Sequence, residues 1–325
     1  MPSSRQAING DALDAALTTF KTEAEQLFTS QANTALVDAF CSEVPSEDGQ
    51  TVTNVMGDHL GTWKELLGGR ESAPSRIFTQ SVTLATYYVP DLVIPRKDFQ
   101  YDKIGSVAAR IRQYLSNALS YQDALLHVAL QLASGKGPVA YDGSNLFDDD
   151  HPYAPAAGTQ SNYGTAAMSW VSVRAAKAAM TALLRENGEP FNIVPKFLIG
   201  GPKNEEIMAE ICNGDLRLAG ATTDGIEGGT RAYGGAISNV QKGSLIGIVD
   251  HRLVGAYDDW WGITGTDITG QLKPMMYLRG MAPKPQINTD DNSQFVHDND
   301  AYSFGLLADG KFAAGAWQTA YWNVL

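Results

Sequence analysis

Apolar residues recur at helical spacing of three and four in several stretches of the chain, and at strand-like density in others. Residues 10–40 carry Leu13, Leu17, Phe20, Ala24 and Leu27 on one side, with Thr18, Lys21, Thr22 and Glu25 keeping the other side polar. Asn9 or Asp11 could cap this segment. The pattern fits a core helix of a small N-terminal unit or an arm laid on another chain, and amphipathicity does not separate the two. The clearest run spans residues 103–134, where Ile104, Val107, Ala108, Ile111, Leu115, Ala118, Leu119, Leu125, Leu126, Ala129 and Leu132 keep close to helical spacing. It predicts a rod of about 45 Å at about 1.5 Å per residue. Gly135, Gly137 and Pro138 stop it. His127 lies on this helix with no second ligand at helical spacing and reads as a core or interface histidine. A second helix is expected over residues 165–186 and a short one over 204–211.

Between these helices lie stretches of another character. Residues 45–75 are broken by Pro45, Gly49, Gly57, Gly61, Gly68, Gly69 and Pro74, yet they contain Trp63, Leu66 and Leu67, which need a cover. Residues 77–89, with Ile77, Phe78, Tyr87 and Tyr88, are rich in β-branched and aromatic side chains, and Leu92–Ile94 follows Pro90. This predicts a two-stranded extension, marginal by itself and obliged to pack on something. Further strands are expected at 191–200, 245–250 and 253–257, and in the tail from Met275. Strand formers continue to Trp322, so the C-terminal end is expected to join a sheet. Helices and strands together predict a mixed α/β protein with extended, sticky segments.

Composition sharpens the picture. Of 325 residues, 18% are charged and 44% hydrophobic, with 32 glycines, 13 tyrosines and 6 tryptophans. Aromatic enrichment with few charges is the signature of surface that another protein covers. The net charge of −12 argues against a dedicated nucleic-acid binder, which needs a basic face. It leaves room for a container whose acidic wall does not hold DNA. No stretch reaches 18 consecutive apolar residues, and the first residues lack the apolar run of a signal peptide, so synthesis in the cytoplasm is expected. Cys41 and Cys212 stand far apart without a partner motif and read as free buried thiols.

Candidate chemistry is sparse. Asp148, Asp149, Asp150 and His151 could bind a divalent cation, but neighbouring residues of an extended chain point opposite ways and no spaced partner completes the set. A structural turn is the favoured reading. The second acidic stretch, Thr289–Asp300, reads as solvated turns. Gly225–Gly229 lacks the Lys-Ser/Thr ending of a phosphate loop. Leu198–Lys203 has the strand-to-helix context of a dinucleotide site but lacks the third glycine, and Pro202 removes an N–H. No nucleophile motif is present, and neither cofactor nor catalytic residue is assigned.

Four stretches read together resemble the major head subunit family of Mu-like phages and prophages. They are Gly10–Leu13 with Phe20-Lys21; Val93–Gly105; Tyr141–Gly143 with Leu146–Pro152; and Phe304-Gly305 with Gly310 and Ala316–Ala320. The most distinctive is the third, where Asp148, Asp150, His151 and Pro152 form the family's structural loop. The chain departs from the pattern by a longer Gly-rich insert around residues 220–244.

The resemblance implies an α+β fold of the HK97 capsid type, with a long spine helix, an extended β-hairpin loop, and peripheral and axial domains. It places an N-terminal arm at 1–50, the extended loop at 51–98, and the peripheral domain at 99–189 around the spine helix 103–134. The axial domain follows at 190–285, and 286–325 returns to the peripheral domain. It implies a non-enzymatic subunit of a tailed bacteriophage, assembling through pentamers and hexamers in the host cytoplasm into the icosahedral head of the virion. That shell would enclose double-stranded DNA without reading its sequence. Portal and scaffolding proteins are implied partners, with decoration proteins a further option, and no membrane is involved. Trp63, Leu66, Leu67, Ile77, Phe78, Tyr87 and Tyr88 are then contacts between subunits. An encapsulin-like cargo compartment, another structural or binding role, and a metal-dependent hydrolase built on the acidic loop remain as alternatives.

Overall fold

A computed structural model describes residues 17–18, 20–24, 34–45, 51–59, 75–101, 106–153, 158–185, 188–218, 236–281, 283–290 and 292–325. The elements are α1 (Ala35–Phe40), β1 (Cys41–Pro45), β2 (Thr51–His59), β3 (Ser75–Thr83), β4 (Ala85–Pro95), α2 (Arg96–Tyr101), α3 (Ser106–Ala118) and α4 (Tyr121–Gly135). Then come β5 (His151–Tyr153), β6 (Gly158–Gln160), β7 (Tyr163–Gly164), α5 (Trp170–Thr181), β8 (Val194–Gly200), α6 (Glu205–Asn213), β9 (Leu216–Leu218), β10 (Ala236–Ser238) and β11 (Ile246–Val249). The chain ends with β12 (Trp261–Thr266), β13 (Met275–Arg279), β14 (Lys284–Asn288), α7 (Gln294–Asn299), β15 (Ala301–Ala314) and β16 (Ala320–Asn323).

Two five-stranded sheets organise the molecule. The first is built on β15, whose 14 residues take β4 along one edge and β14 then β13 along the other, with β1 parallel to β13. The second has the order β11-β8-β12-β16-β7. β12 is buried at every position, and a side chain on Gly262 would collide with the Trp322 ring packed against it. The strand pairs β2–β3, β5–β6 and β9–β10 form separate two-stranded sheets.

The cores explain the largest correction to the sequence reading. The helix expected over 103–134 is two helices, with a turn at Leu119 and Ser120. Ile111, Leu115 and Ala118 of α3 pack with Ile94, Tyr302 and Phe304 on the first sheet and with Phe99 of α2. Leu126, Ala129 and Leu130 of α4 join Trp261, Ile263 and Trp322 of the second. One straight helix cannot present its apolar stripe to two cores facing different ways, so the chain turns between them. Ala133 and Ser134, at φ 50° and 58°, then end α4 in left-handed geometry.

Smaller differences follow from pairing. The expected strand 77–89 is divided at Leu84: its first part joins β2, and its second continues through Pro90 as β4 on β15. Pro90 is tolerated because β4 is an edge strand with a register shift opposite Gly305. The expected pairing of 77–89 with Leu92–Ile94 does not form. The helix expected over 165–186 is Trp170–Thr181, opened by a reciprocal cap between Ser169 and Ser172. Residues 253–257 form no strand, since Gly255 at φ +66° turns the chain into a 3-10 helix. In the C-terminal segment, β15 joins the first sheet and β16 pairs with β12 and β7 in the second. In the N-terminal segment, Phe20 and Ala24 are buried in the core beside the first sheet. Cys41 and Cys212 are free and buried, as expected.

Candidate functional site

The acidic loop folds into a buried polar knot. Gly137 at φ +76° turns the chain after α4, and backbone bonds from Leu146 N–H to Pro138 O (2.8 Å) and Phe147 N–H to Lys136 O (2.8 Å) close the loop onto itself. His151, fully buried on β5, is the centre. Its Nδ1 lies 2.7 Å from Asp142 Oδ2, its Nε2 lies 3.2 Å from Asn162 Oδ1, and its ring stacks on Trp317 with centroids 3.8 Å apart. Asn162, also fully buried, donates through Nδ2 to the carbonyls of Leu146 (2.8 Å) and Trp317 (2.9 Å). Gln318 Nε2 donates to the Tyr141 hydroxyl at 2.6 Å. The knot therefore ties the loop to the C-terminal turn just before β16.

Asp148 sits beside it. Burial alone would raise its carboxyl, but the Lys136 ammonium at 2.9 Å and the Asp149 N–H outweigh that and hold it down to about 2. The same bond pushes the Lys136 ammonium up. Asp150 is exposed and contributes its carbonyl to Ser144 Oγ at 3.5 Å, and Pro152 is an exposed residue of β5. Asp148 and Asp150 thus do not converge with His151 on a common point. Among the described residues, no group of three or more His, Cys, Asp or Glu is arranged to hold a metal ion. Sequence reasoning found Asp148 and His151 but missed Asn162 and Trp317. Their partners are 11 and 166 residues away in the chain, and no local spacing marks them.

The proposed contact residues are placed differently. Trp63, Leu66 and Leu67 lie outside the described residues. Ile77 and Phe78 stand on β3 opposite Gly57 and Met56 of β2. Tyr87 and Tyr88 stand on β4 opposite Ala308 and Leu307. Tyr88 is 75% exposed, and burial pushes the half-buried Tyr87 hydroxyl up. Both tyrosines line an apolar hollow of about 200 Å³ that reaches Tyr121 and Leu125 of α4. His127 is a core histidine, set edge-on to Tyr257 and bonded to Gln131. Among the described residues no helix is long and apolar enough to cross a membrane.

Comparison with known proteins shows what this architecture is similar to. A search of curated proteins finds no match. Among solved structures, the bacteriophage JBD30 capsid superposes with a TM-score of 0.50 at 12% identity, covering 96% of this chain and 71% of that one. A structure from Mycobacterium phage Cain superposes equally well, at 12% identity over 92% of this chain and 93% of that one. At such identity the likeness speaks for the fold, an α+β arrangement of the HK97 capsid type. The family described as Mu-like prophage major head subunit gpT matches residues 13–171, which take in the β2–β3 pair, β4, α3, α4 and the Asp142, His151 and Asn162 part of the knot. That match spans just under half of the chain, and the fold it shares with the phage capsid structures extends over nearly all of it.

Proposed function

We propose that the subunit assembles through pentameric and hexameric capsomers in which β2 and β3, with the connection between them, reach over a neighbouring copy. The observation that carries this is the pairing: among the described residues, β2 and β3 form a two-stranded sheet of their own. A lone ribbon of two strands is barely stable in water, so its burial must come from elsewhere. Trp63, Leu66 and Leu67 on the connection, and Ile77 and Phe78 on β3, would supply apolar contact, with Tyr87 and Tyr88 as the receiving surface. In this reading α3 and α4 together are the spine of a peripheral domain, and the second sheet belongs to an axial domain. Double-stranded DNA is the contents, held without sequence-specific contacts. Portal and scaffolding proteins, and decoration proteins on some shells, would meet the same subunit.

The test is joint replacement of Trp63, Leu66 and Leu67 by Ser, with particle mass read by light scattering and electron microscopy. The expected result is folded subunits that no longer close into shells. Shells formed at normal yield would contradict the reading. Nucleic-acid content of the wild-type particles distinguishes a head from a protein-cargo compartment.

A further inference from the structure

The apolar hollow beside Tyr88 is walled from two sides. Tyr87, Val89 and Leu306 come from β4 and β15, and Ala118, Tyr121 and Ala124 come from α3 and α4. No charged side chain lines it, and its volume of about 200 Å³ exceeds the roughly 150 Å³ that takes up a benzene-sized ring. A space of that size beside a core forfeits packing contacts, which favours an apolar occupant. Two ends of this chain's own N-terminal region stand at its rim. Residues 17–24 are helical at every described position, and Phe20 and Ala24 are buried in a core that also contains Ala118 and Leu306, with Val89 packed against it. Those last three residues line the hollow as well. The described chain resumes at Thr34, whose hydroxyl donates to Asp123, the residue before Ala124 of the hollow wall. Residues 25–33 join the two ends, and Leu27 and Phe28 are their large apolar side chains, the rest being polar except Ala32. Leu27 and Phe28 follow Ala24 by three and four positions, the spacing that carries an apolar stripe forward along one helix face. Leu17, Phe20 and Ala24 already lie along that stripe in the core beside the first sheet.

We propose that Leu27 and Phe28 of the same chain occupy the hollow, so that residues 25–33 tie the N-terminal segment to α1 across the α3–α4 turn. One further helical turn beyond Ala24 advances the stripe by about 5 Å, from the Ala118 and Leu306 side of the hollow towards Ala124. The polar residues that follow then lead out to Thr34. Proximity selects the chain itself over a second copy. Both ends of the segment are anchored beside the hollow, so seating it there closes only a short loop and costs little further entropy. The inference does not depend on how copies meet. It leaves Tyr88, 75% exposed at the rim, as the part of this surface open to a neighbouring copy.

The test is NMR of unassembled full-length subunits with Ala and Leu methyl groups labelled and phenylalanine rings protonated. Cross-relaxation between the Phe28 ring and the Ala124 methyl group is expected, with the signals assigned by their loss in Phe28→Leu and Ala124→Ser. If neither Leu27 nor Phe28 contacts Ala118, Ala124 or Leu125 in free subunits, the proposal is overturned. A contact from Trp63 to the same methyl groups, arising only in closed shells, gives the hollow to a second copy and overturns it equally. Stability supplies a second readout. Phe28→Ala is expected to lower the ratio of folded to unfolded subunit about a hundredfold or more, as for a buried ring. A change of less than about threefold, as for an exposed side chain, would contradict the proposal. The cross-relaxation is measured on the wild-type chain, so it decides even where that variant fails to fold.

Discussion

The polar knot and the β2–β3 ribbon are neighbours in the chain's logic but opposites in physics. In the knot, Asp142, Asn162 and His151 find their partners within one subunit, and those partners come from the loop, β5 and the C-terminal turn. The ribbon pairs only with itself among the described residues, and Tyr88 on the next strand stands open to solvent. A buried polar network is costly unless complete, so it fixes one arrangement of its own chain. On the proposed reading, a ribbon paired only with itself and an exposed aromatic are covered by another copy. A shell subunit needs both: a body that is the same in every position, and a reaching element whose burial depends on where it lands.

The comparison can be broken first at the knot. Asn162→Ala leaves the Leu146 and Trp317 carbonyls and the Asp148 N–H buried without their partner. Urea unfolding of unassembled subunits is expected to show a loss of about 3–4 kcal/mol. A loss below about 1 kcal/mol would mean that water replaces the amide without cost. The Lys136–Asp148 pair comes next. Its carboxyl is held at about 2, below the ordinary 3.8, so its stabilisation is present above that ordinary value and disappears as pH falls through about 2. The contribution is at most about 2 kcal/mol, and Asp148→Asn should flatten that part of the acid-unfolding curve. Smallest in its effect on the isolated subunit is Tyr88→Ser. An exposed side chain away from the core should change subunit stability by no more than about 0.5 kcal/mol. Shell yield by sedimentation should nevertheless fall sharply, because the cost appears only when copies meet.

How much of this was visible in the sequence depends on how local each cause is. The apolar stripe of α3 and α4 is a local repeat and could be read directly. Their separation could not, because Leu119 fits the helical spacing, and the reason for the turn is the position of two cores. The one local hint is Ser120, a helix-capping residue type that stands just before α4 and takes a 3.2 Å bond from Arg252, 132 residues on. The strand character of 77–95 was legible, but its division at Leu84 depends on β2 and β15 as partners. For the acidic loop, the unusual run Asp148–His151 marked the place. Its nature as a buried knot rests on Asn162 and Trp317, which only the folded chain brings to the ring.

Hydrogen exchange on the wild-type protein, measured in unassembled subunits and again in closed shells, tests the central contrast most directly. The account predicts that amides of Thr51–His59 and Ser75–Thr83 exchange fast in free subunits and become strongly protected in shells. Amides around Asn162 and Trp317 should be equally protected in both states, because their partners are intramolecular. A ribbon as protected in the free subunit as in the shell would contradict the account, since its burial would then owe nothing to a second copy.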